Sequence, residues 1–215
     1  MIIDFSTDSS RLPWPGDRPF VLASASSARE AMLRAVGLAV TLRPVKVDEA
    51  SIRDALRADG AKARDIADAL ADHKARKGAL ASAPDALVLG ADQVLELDGE
   101  LFSKPRDPAE AEAQLSALSA KTHRLHTAAV AVEGGVPVWR HTATAALTLR
   151  PLSPDFIATY VRRNWPAIAT SVGAYQIEAE GGRLFTRIEG DPFTILGLPL
   201  IPLLTWLGAR GDIAT

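Results

Sequence analysis

Ala86-Leu87-Val88-Leu89-Gly90-Ala91-Asp92-Gln93 is the stretch on which the fold class turns. Four apolar residues in a row, with no polar residue alternating between them, predict a central strand covered on both faces. Such a strand needs helices on either side of its sheet, and helical patterns flank it in the chain. Residues 62–82 are rich in alanine, place Ile66, Ala69, Leu70 and Ala71 on one side of a helix, and carry Lys74 near its end. On the other flank Asp107-Pro108-Ala109-Glu110 combines a capping residue, a first-turn proline and a box glutamate, which predicts a helix start. The expectation is an α/β fold.

Further out, Phe20-Val21-Leu22-Ala23 predicts a short buried strand ending in the polar turn Ser24-Ala25-Ser26-Ser27. Ser27 and Glu30 have capping-box spacing, Met32, Leu33 and Val36 form an apolar helical face, and Gly37 supplies a stop. Val40 to Val47 predicts a second strand with Asp48-Glu49 at its end. Asp98-Gly99 predicts a tight hairpin between Val94–Leu97 and Leu101–Phe102. Strands are expected near 122–132 and 136–149, separated by Glu133-Gly134-Gly135, and Ser153-Pro154 caps a helix to about Asn164. A glycine-rich segment from Gly173 to Gly190 precedes a final apolar helix. Pro13, Pro15 and Gly16 mark residues 1–18 as a loosely ordered leader, followed by one domain over 19–210.

Composition narrows the functional classes. A chain of 215 residues with 47% hydrophobic and 23% charged residues reads as globular, and no apolar run approaches the roughly 20 residues that span a bilayer. The start lacks a basic segment followed by a long apolar stretch, so no secretory signal is expected and the protein is placed in the cytoplasm. A net charge of −2 argues against nucleic acid as a partner. The basic residues between Arg57 and Lys77 interleave with Asp59, Asp65, Asp68 and Asp72, as on a solvated helix face. With no cysteine, any metal must sit on oxygen or imidazole.

Polar clusters fall where strands are expected to end, the place where open α/β sheets bind ligands. Ser24 to Arg29 sets hydroxyls and backbone N–H groups at a helix N-terminus, where Arg29 could grip a phosphate; equally, a serine there could merely cap the helix. Glu49 and Asp92 are carboxylates suited to Mg²⁺, which takes few protein ligands besides phosphates and water. The alternative for Asp48-Glu49 is a helix-capping acidic pair. Asp92 is costly to bury unless paired or metal-bound. Lys74 and Lys104 are point charges that could meet a phosphate or solvent, and Pro105 stiffens the segment at Lys104. His123 and His126 fall on opposite faces of a strand, which disfavours a shared metal, and both are expected to be structural or exposed.

Taken together these clusters resemble the Maf proteins, nucleotide pyrophosphatases related in fold to the inosine triphosphate pyrophosphatases. The likeness runs from about Val21 to Leu207. It rests on Leu22-Ala23-Ser24-Ala25-Ser26 with Arg29, Val47-Asp48-Glu49, Lys74-Ala75, Gly90-Ala91-Asp92 and Leu97-Asp98-Gly99. It continues through Lys104-Pro105, Leu118-Ser119 to His123, Gly173-Ala174-Tyr175, Ile188-Glu189-Gly190-Asp191 and Gly197-Leu198-Pro199-Leu200. Each motif is short, whereas their order and spacing are specific.

The resemblance implies a strongly twisted mixed β-sheet flanked by helices, two lobes around a central cleft, a divalent metal cation (Mg²⁺, Mn²⁺ or Co²⁺) and a homodimer. It implies hydrolysis of a nucleoside triphosphate to the monophosphate and pyrophosphate, with the residue matching Asp92 as proton acceptor. Glu49 and Lys104 would act beside Asp92, Glu49 and Asp92 would hold the metal, and Ser24, Arg29, Lys74, Gln93 and Glu178 would contact substrate. The chain departs from the family pattern at Ala28, where arginine is usual, and Gln93 and Glu178 match the 7-methylguanosine-triphosphate type rather than the thymidine and uridine type. The 7-methylguanosine type, however, has an aromatic residue at the position of Ala28, and Gln176 and Gly181-Gly182-Arg183-Leu184-Phe185 fit neither type. A third variety is therefore expected with the base unassigned, and Glu178 either accepts from a guanine edge or is an exposed loop acid. The alternative is a non-catalytic nucleotide-binding regulator linked to cell division. Phosphatase and kinase readings fail because Glu96 and Leu101 stand where an aspartyl phosphatase needs aspartate and threonine, and no P-loop occurs.

Overall fold

The computed structural model describes residues 18–213, so the expected leader up to position 17 lies outside the described residues. A seven-stranded mixed sheet flanked by helices organises the chain, with strand order β2-β1-β3-β5-β6-β7 and β4 paired to β3. The strands are β1 (Phe20–Leu22), β2 (Thr41–Leu42), β3 (Leu87–Leu97), β4 (Glu100–Phe102), β5 (Thr122–Glu133), β6 (Val136–Leu149) and β7 (Phe185–Glu189). β1 runs parallel to both β2 and β3, whereas β3–β4 and β6–β7 are antiparallel. The helices are α1 (Ser27–Ala35), α2 (Glu49–Ala58), α3 (Ala63–Leu80), α4 (Pro108–Leu118), α5 (Pro154–Asn164), α6 (Pro192–Ile195) and α7 (Leu200–Ala209). Among the described residues no helix is long and apolar enough to cross a membrane.

The chain forms two compact units. The first holds the described residues up to Asp92, Thr127–Ala143, and those from Pro192 onward; the second holds Gln93–His126 and Thr144–Asp191. In the first unit, Phe20 and Leu22 of β1 and Leu87 and Leu89 of β3 pack with Met32 and Leu33 of α1 and Leu203 and Leu207 of α7. Each fully buried leucine contributes about 1.5–3 kcal/mol through apolar transfer. In the second, α4 packs on α5, and His123 is buried with Tyr175 and Phe185, its ring tilted against both while those two meet edge to face.

Capping chemistry opens α4 and α5 where the sequence predicts them. Asp107 accepts from Glu110 N at 2.8 Å to open α4, and Ser153 accepts from Phe156 N at 3.3 Å to open α5. The hairpin at Asp98-Gly99 has φ of 52° and 86°, the left-handed pair that a two-residue turn of this hand requires, and Leu97 faces Glu100.

Four expectations change. The cap of α1 is Ser26, not Ser27, since its Oγ accepts from Arg29 N at 3.3 Å. The strand expected over Val40–Val47 shrinks to Thr41–Leu42, both exposed, because β1 ends at Leu22, whose carbonyl oxygen accepts from Arg43 N at 2.9 Å. Ala86–Leu89 and Val94–Leu97 are not separate strands; β3 runs through Gly90-Ala91-Asp92-Gln93 without a break and is buried along nearly all its length. Within the glycine-rich segment Phe185–Glu189 pairs with β6 as β7, which the sequence pattern did not signal.

Candidate active site

Asp92 therefore projects from inside β3 instead of from its end, and it is 6% exposed. Side chains alternate along a strand, so Asp92 shares a face with Gly90 and Val88. That face is covered by α3. The buried stripe of α3 comprises Ala63, Ile66, Ala67, Leu70, Ala71, Lys74, Ala75 and Gly78, a helical spacing in which one lysine occupies a core position. Small residues on both sides let the backbones approach. A β-carbon at Gly90 would lie 2.3 Å from Ala71 O and 2.4 Å from Ala75 N, and one at Gly78 would lie 2.7 Å from the Ala23 β-carbon. This close approach carries the Lys74 ammonium to 2.5 Å from Asp92 Oδ1.

The same ammonium meets Glu49 Oε1 at 2.7 Å. Glu49 is the first residue of α2, whose cap is Asp48; the Asp48 carboxylate accepts from Ser51 N at 3.1 Å and from Ser51 Oγ at 2.8 Å. The two adjacent acids thus divide between a capping role and a role at the lysine. Glu49 and Asp92, far apart in sequence, converge on one nitrogen. Their side chains differ in access: that of Glu49 is 41% exposed and that of Asp92 is 8%.

Arg29, 8% exposed, completes the group. Its Nε donates to Gly197 O at 2.7 Å, and its Nη1 donates to Ala91 O at 2.9 Å and Ser24 Oγ at 3.1 Å. One guanidinium thereby ties the turn before α1, the residue preceding Asp92, and the loop leading to α7. Ser24 Oγ also accepts from Ser26 N at 3.2 Å. Gly197 has φ of 103°, a conformation that favours glycine, and it presents its carbonyl to the arginine.

Burial raises the Asp92 pKa, against the opposing pull of Lys74 and Arg29. Burial lowers that of Arg29, against the field of Asp92 and Glu49. A carboxyl held above its usual range is a better proton acceptor, and the adjacent cations keep it from being an uncompensated buried charge.

The other residues singled out by sequence lie in the second unit. Gln93 is half-buried on β3, whereas Lys104 and Glu178 are exposed in loops, after β4 and between Tyr175 and the short helical turn Glu180–Leu184. His123 and His126 are both buried. His123 Nε2 pairs with Tyr175 Oη at 2.7 Å, while His126 lies 3.0 Å from both Glu96 Oε2 and Thr144 Oγ1. Sequence reasoning overlooked Gly90 as the contact that brings α3 to β3. It also overlooked that Lys74 continues the apolar stripe through Ala67 and Leu70, a signal present in the spacing.

Among the described residues no group of three or more His, Cys, Asp or Glu side chains gathers as a metal cage. The pair Glu49 and Asp92 nevertheless fits Mg²⁺, which binds through one or two carboxylates and draws its remaining ligands from water and phosphates. The observation behind that fit is that both carboxylates already face one cationic centre, the Lys74 ammonium.

The class so defined is an α/β protein in which two carboxylates, a lysine and an arginine from separate elements gather around the middle of β3. The model of the Maf-like proteins matches residues 19–210, and the chain belongs to the Maf family. It is 50% identical over 194 residues to a "Nucleoside triphosphate pyrophosphatase 1" of Jannaschia sp. (strain CCS1), covering 90% of this chain and 98% of that protein. A "Nucleoside triphosphate pyrophosphatase" of Sphingopyxis alaskensis is 50% identical over 192 residues, covering 89% and 96%. A "7-methyl-GTP pyrophosphatase" of Rhizobium meliloti is 47% identical over 193 residues, covering 90% and 96%.

Proposed function

We propose that this chain is a nucleoside triphosphate pyrophosphatase, a hydrolase that splits the bond between the α- and β-phosphates to release a nucleoside monophosphate and pyrophosphate. The carrying observation is the convergence of Asp92 and Glu49 on Lys74, with Arg29 fastened to the residue before Asp92. Near-complete coverage of relatives named for that reaction supports it.

In the reaction, water attacks the α-phosphorus, the bond to the bridging oxygen breaks, and pyrophosphate departs. Asp92 takes the proton of the attacking water, a role favoured by its raised pKa. Lys74 and Arg29, with Lys104, offset the charge of the triphosphate, which is most of what phosphoryl transfer asks of a protein. Ser24 and Gln93 contact the substrate. Glu49 and Asp92 would hold a divalent cation, Mg²⁺, Mn²⁺ or Co²⁺, which when bound adds charge neutralisation at the phosphates. Glu178 reads the base, and its carboxylate suits the N–H donors of a guanine edge. The protein acts in the cytoplasm, and it forms a homodimer, as the family resemblance implies.

The test is incubation with canonical and methylated nucleoside triphosphates plus each cation, scoring both products. Monophosphate and pyrophosphate together are expected. Binding without turnover would favour the regulator, and inorganic phosphate as the first product would overturn the reading.

A further inference from the structure

Lys74 occupies the position between the two carboxylates that a divalent cation would have to use. Its side chain is 11% exposed, and its nitrogen lies 2.5 Å from Asp92 Oδ1 and 2.7 Å from Glu49 Oε1. An ammonium has three donors, so two are engaged here. A second cation close to the same oxygens would face this ammonium across only a few ångströms, with little water to screen it on the side of the buried Asp92. Arg29 adds a further positive charge to the same field, coupled to both Asp92 and Glu49.

We propose that Lys74 is an exchangeable counter-ion: it holds Glu49 and Asp92 together while no divalent cation is bound, and it gives them up when one binds, leaving its ammonium for the triphosphate. The inference rests on the metal reading above and extends it to a residue whose role would otherwise be phosphate contact alone. Two features of the fold favour exchange. Lys74 lies on a rigid helix but reaches the carboxylates through its flexible four-carbon stem, so the ammonium can move while α3 stays against β3. Glu49 is the more exposed partner and sits in the first turn of α2, so the cluster opens to solvent on its side.

The exchange makes an opposite prediction to a fixed scaffold. If Lys74 only organised the carboxylates, its loss would weaken cation binding. If it competes with the cation, its loss strengthens binding. Mn²⁺ titration without nucleotide, followed by the electron paramagnetic resonance of the free ion, separates the two. Lys74→Met keeps the stem and removes the charge, and it is expected to bind Mn²⁺ at least about tenfold more tightly than the unsubstituted protein. Equal or weaker binding overturns the exchange.

Two further measurements keep the outcome decisive. Mn²⁺ binding should disappear in the double variant Glu49→Gln, Asp92→Asn; if it persists unchanged, the carboxylates are not the metal site and both readings fail. If that variant loses the ion while Lys74→Met leaves the affinity unaltered, only the exchange fails. In the unsubstituted protein, acetylation of Lys74 read by mass spectrometry should become several-fold faster when Mg²⁺ is added, because the ammonium leaves its two partners. A rate unchanged or slowed by Mg²⁺ overturns the proposal even if Lys74→Met does not fold.

Discussion

Gly90 and Lys74 are linked through the packing of α3 on β3: the missing side chain at position 90 lets the Ala71 and Ala75 backbone approach, and that approach brings Lys74 to Asp92. A β-carbon there would lie within 2.4 Å of the Ala71 carbonyl oxygen and the Ala75 nitrogen, both backbone atoms that cannot rotate away. Gly90→Ala should therefore push the helix outward. The expected loss of stability is about 3 kcal/mol, at the upper end of overpacking effects, and turnover should fall with it. Urea unfolding combined with a product assay checks this; unchanged stability would show that α3 does not pack as described.

Asp92→Asn removes the proton acceptor while preserving shape. Turnover should drop by about 10²–10⁴-fold, the usual range for loss of a general base, with the circular dichroism spectrum retained. Near-normal activity would assign the base elsewhere.

Arg29→Lys keeps the charge but loses the fork. A single ammonium cannot reproduce the geometry that joins Gly197 O, Ala91 O and Ser24 Oγ. Losing buried hydrogen bonds of a charged group should destabilise the fold by about 2–3 kcal/mol, and kcat/KM should fall because the backbone before Asp92 is no longer held. Thermal melts and kinetics together test it, and full activity in the lysine variant would refute the clamp.

His123 predicts a pH dependence of stability. Burial lowers its pKa to about 4 from 6.5. The unfolded chain thus binds a proton over the interval in which the folded one does not. Its contribution is fully present above 6.5 and is lost as pH falls toward 4, amounting to about 2 kcal/mol by pH 5. Urea midpoints measured at pH 7.5 and 5 should show this loss, and His123→Gln should flatten the slope between them. An equally steep slope in that variant would place the proton uptake on another group.

Glu178→Gln exchanges an acceptor-only carboxylate for an amide and should shift the preference among bases while leaving the catalysed step intact. Relative kcat/KM across guanine and pyrimidine triphosphates reads it. An unaltered ranking would make Glu178 an ordinary loop acid.

Local features were legible in the chain because their causes are local. Asp107, Ser153 and the Asp98-Gly99 turn act on backbone a few residues away, and the α/β class follows from an unbroken apolar strand between helical patterns. Position along β3 was less legible: Gly90 and Ala91 resemble the end of a strand in sequence, yet β3 pairs with β1 up to Leu89 and with β4 from Leu95 and runs through Asp92 between them. The same reasoning failed at Ser27, since capping spacing tolerates a shift of one residue.

By itself the sequence determined which residues could do the chemistry: acids at 49 and 92, cations at 29 and 74, and the order in which they come. Only the tertiary structure decided that Glu49 and Asp92 share one ammonium and that Arg29 is fastened to three segments at once. The physical reason is distance along the chain. Charges on separate elements meet only when side-chain volumes between those elements are small enough, and that depends on how Gly90 and Gly78 pack, not on any local spacing.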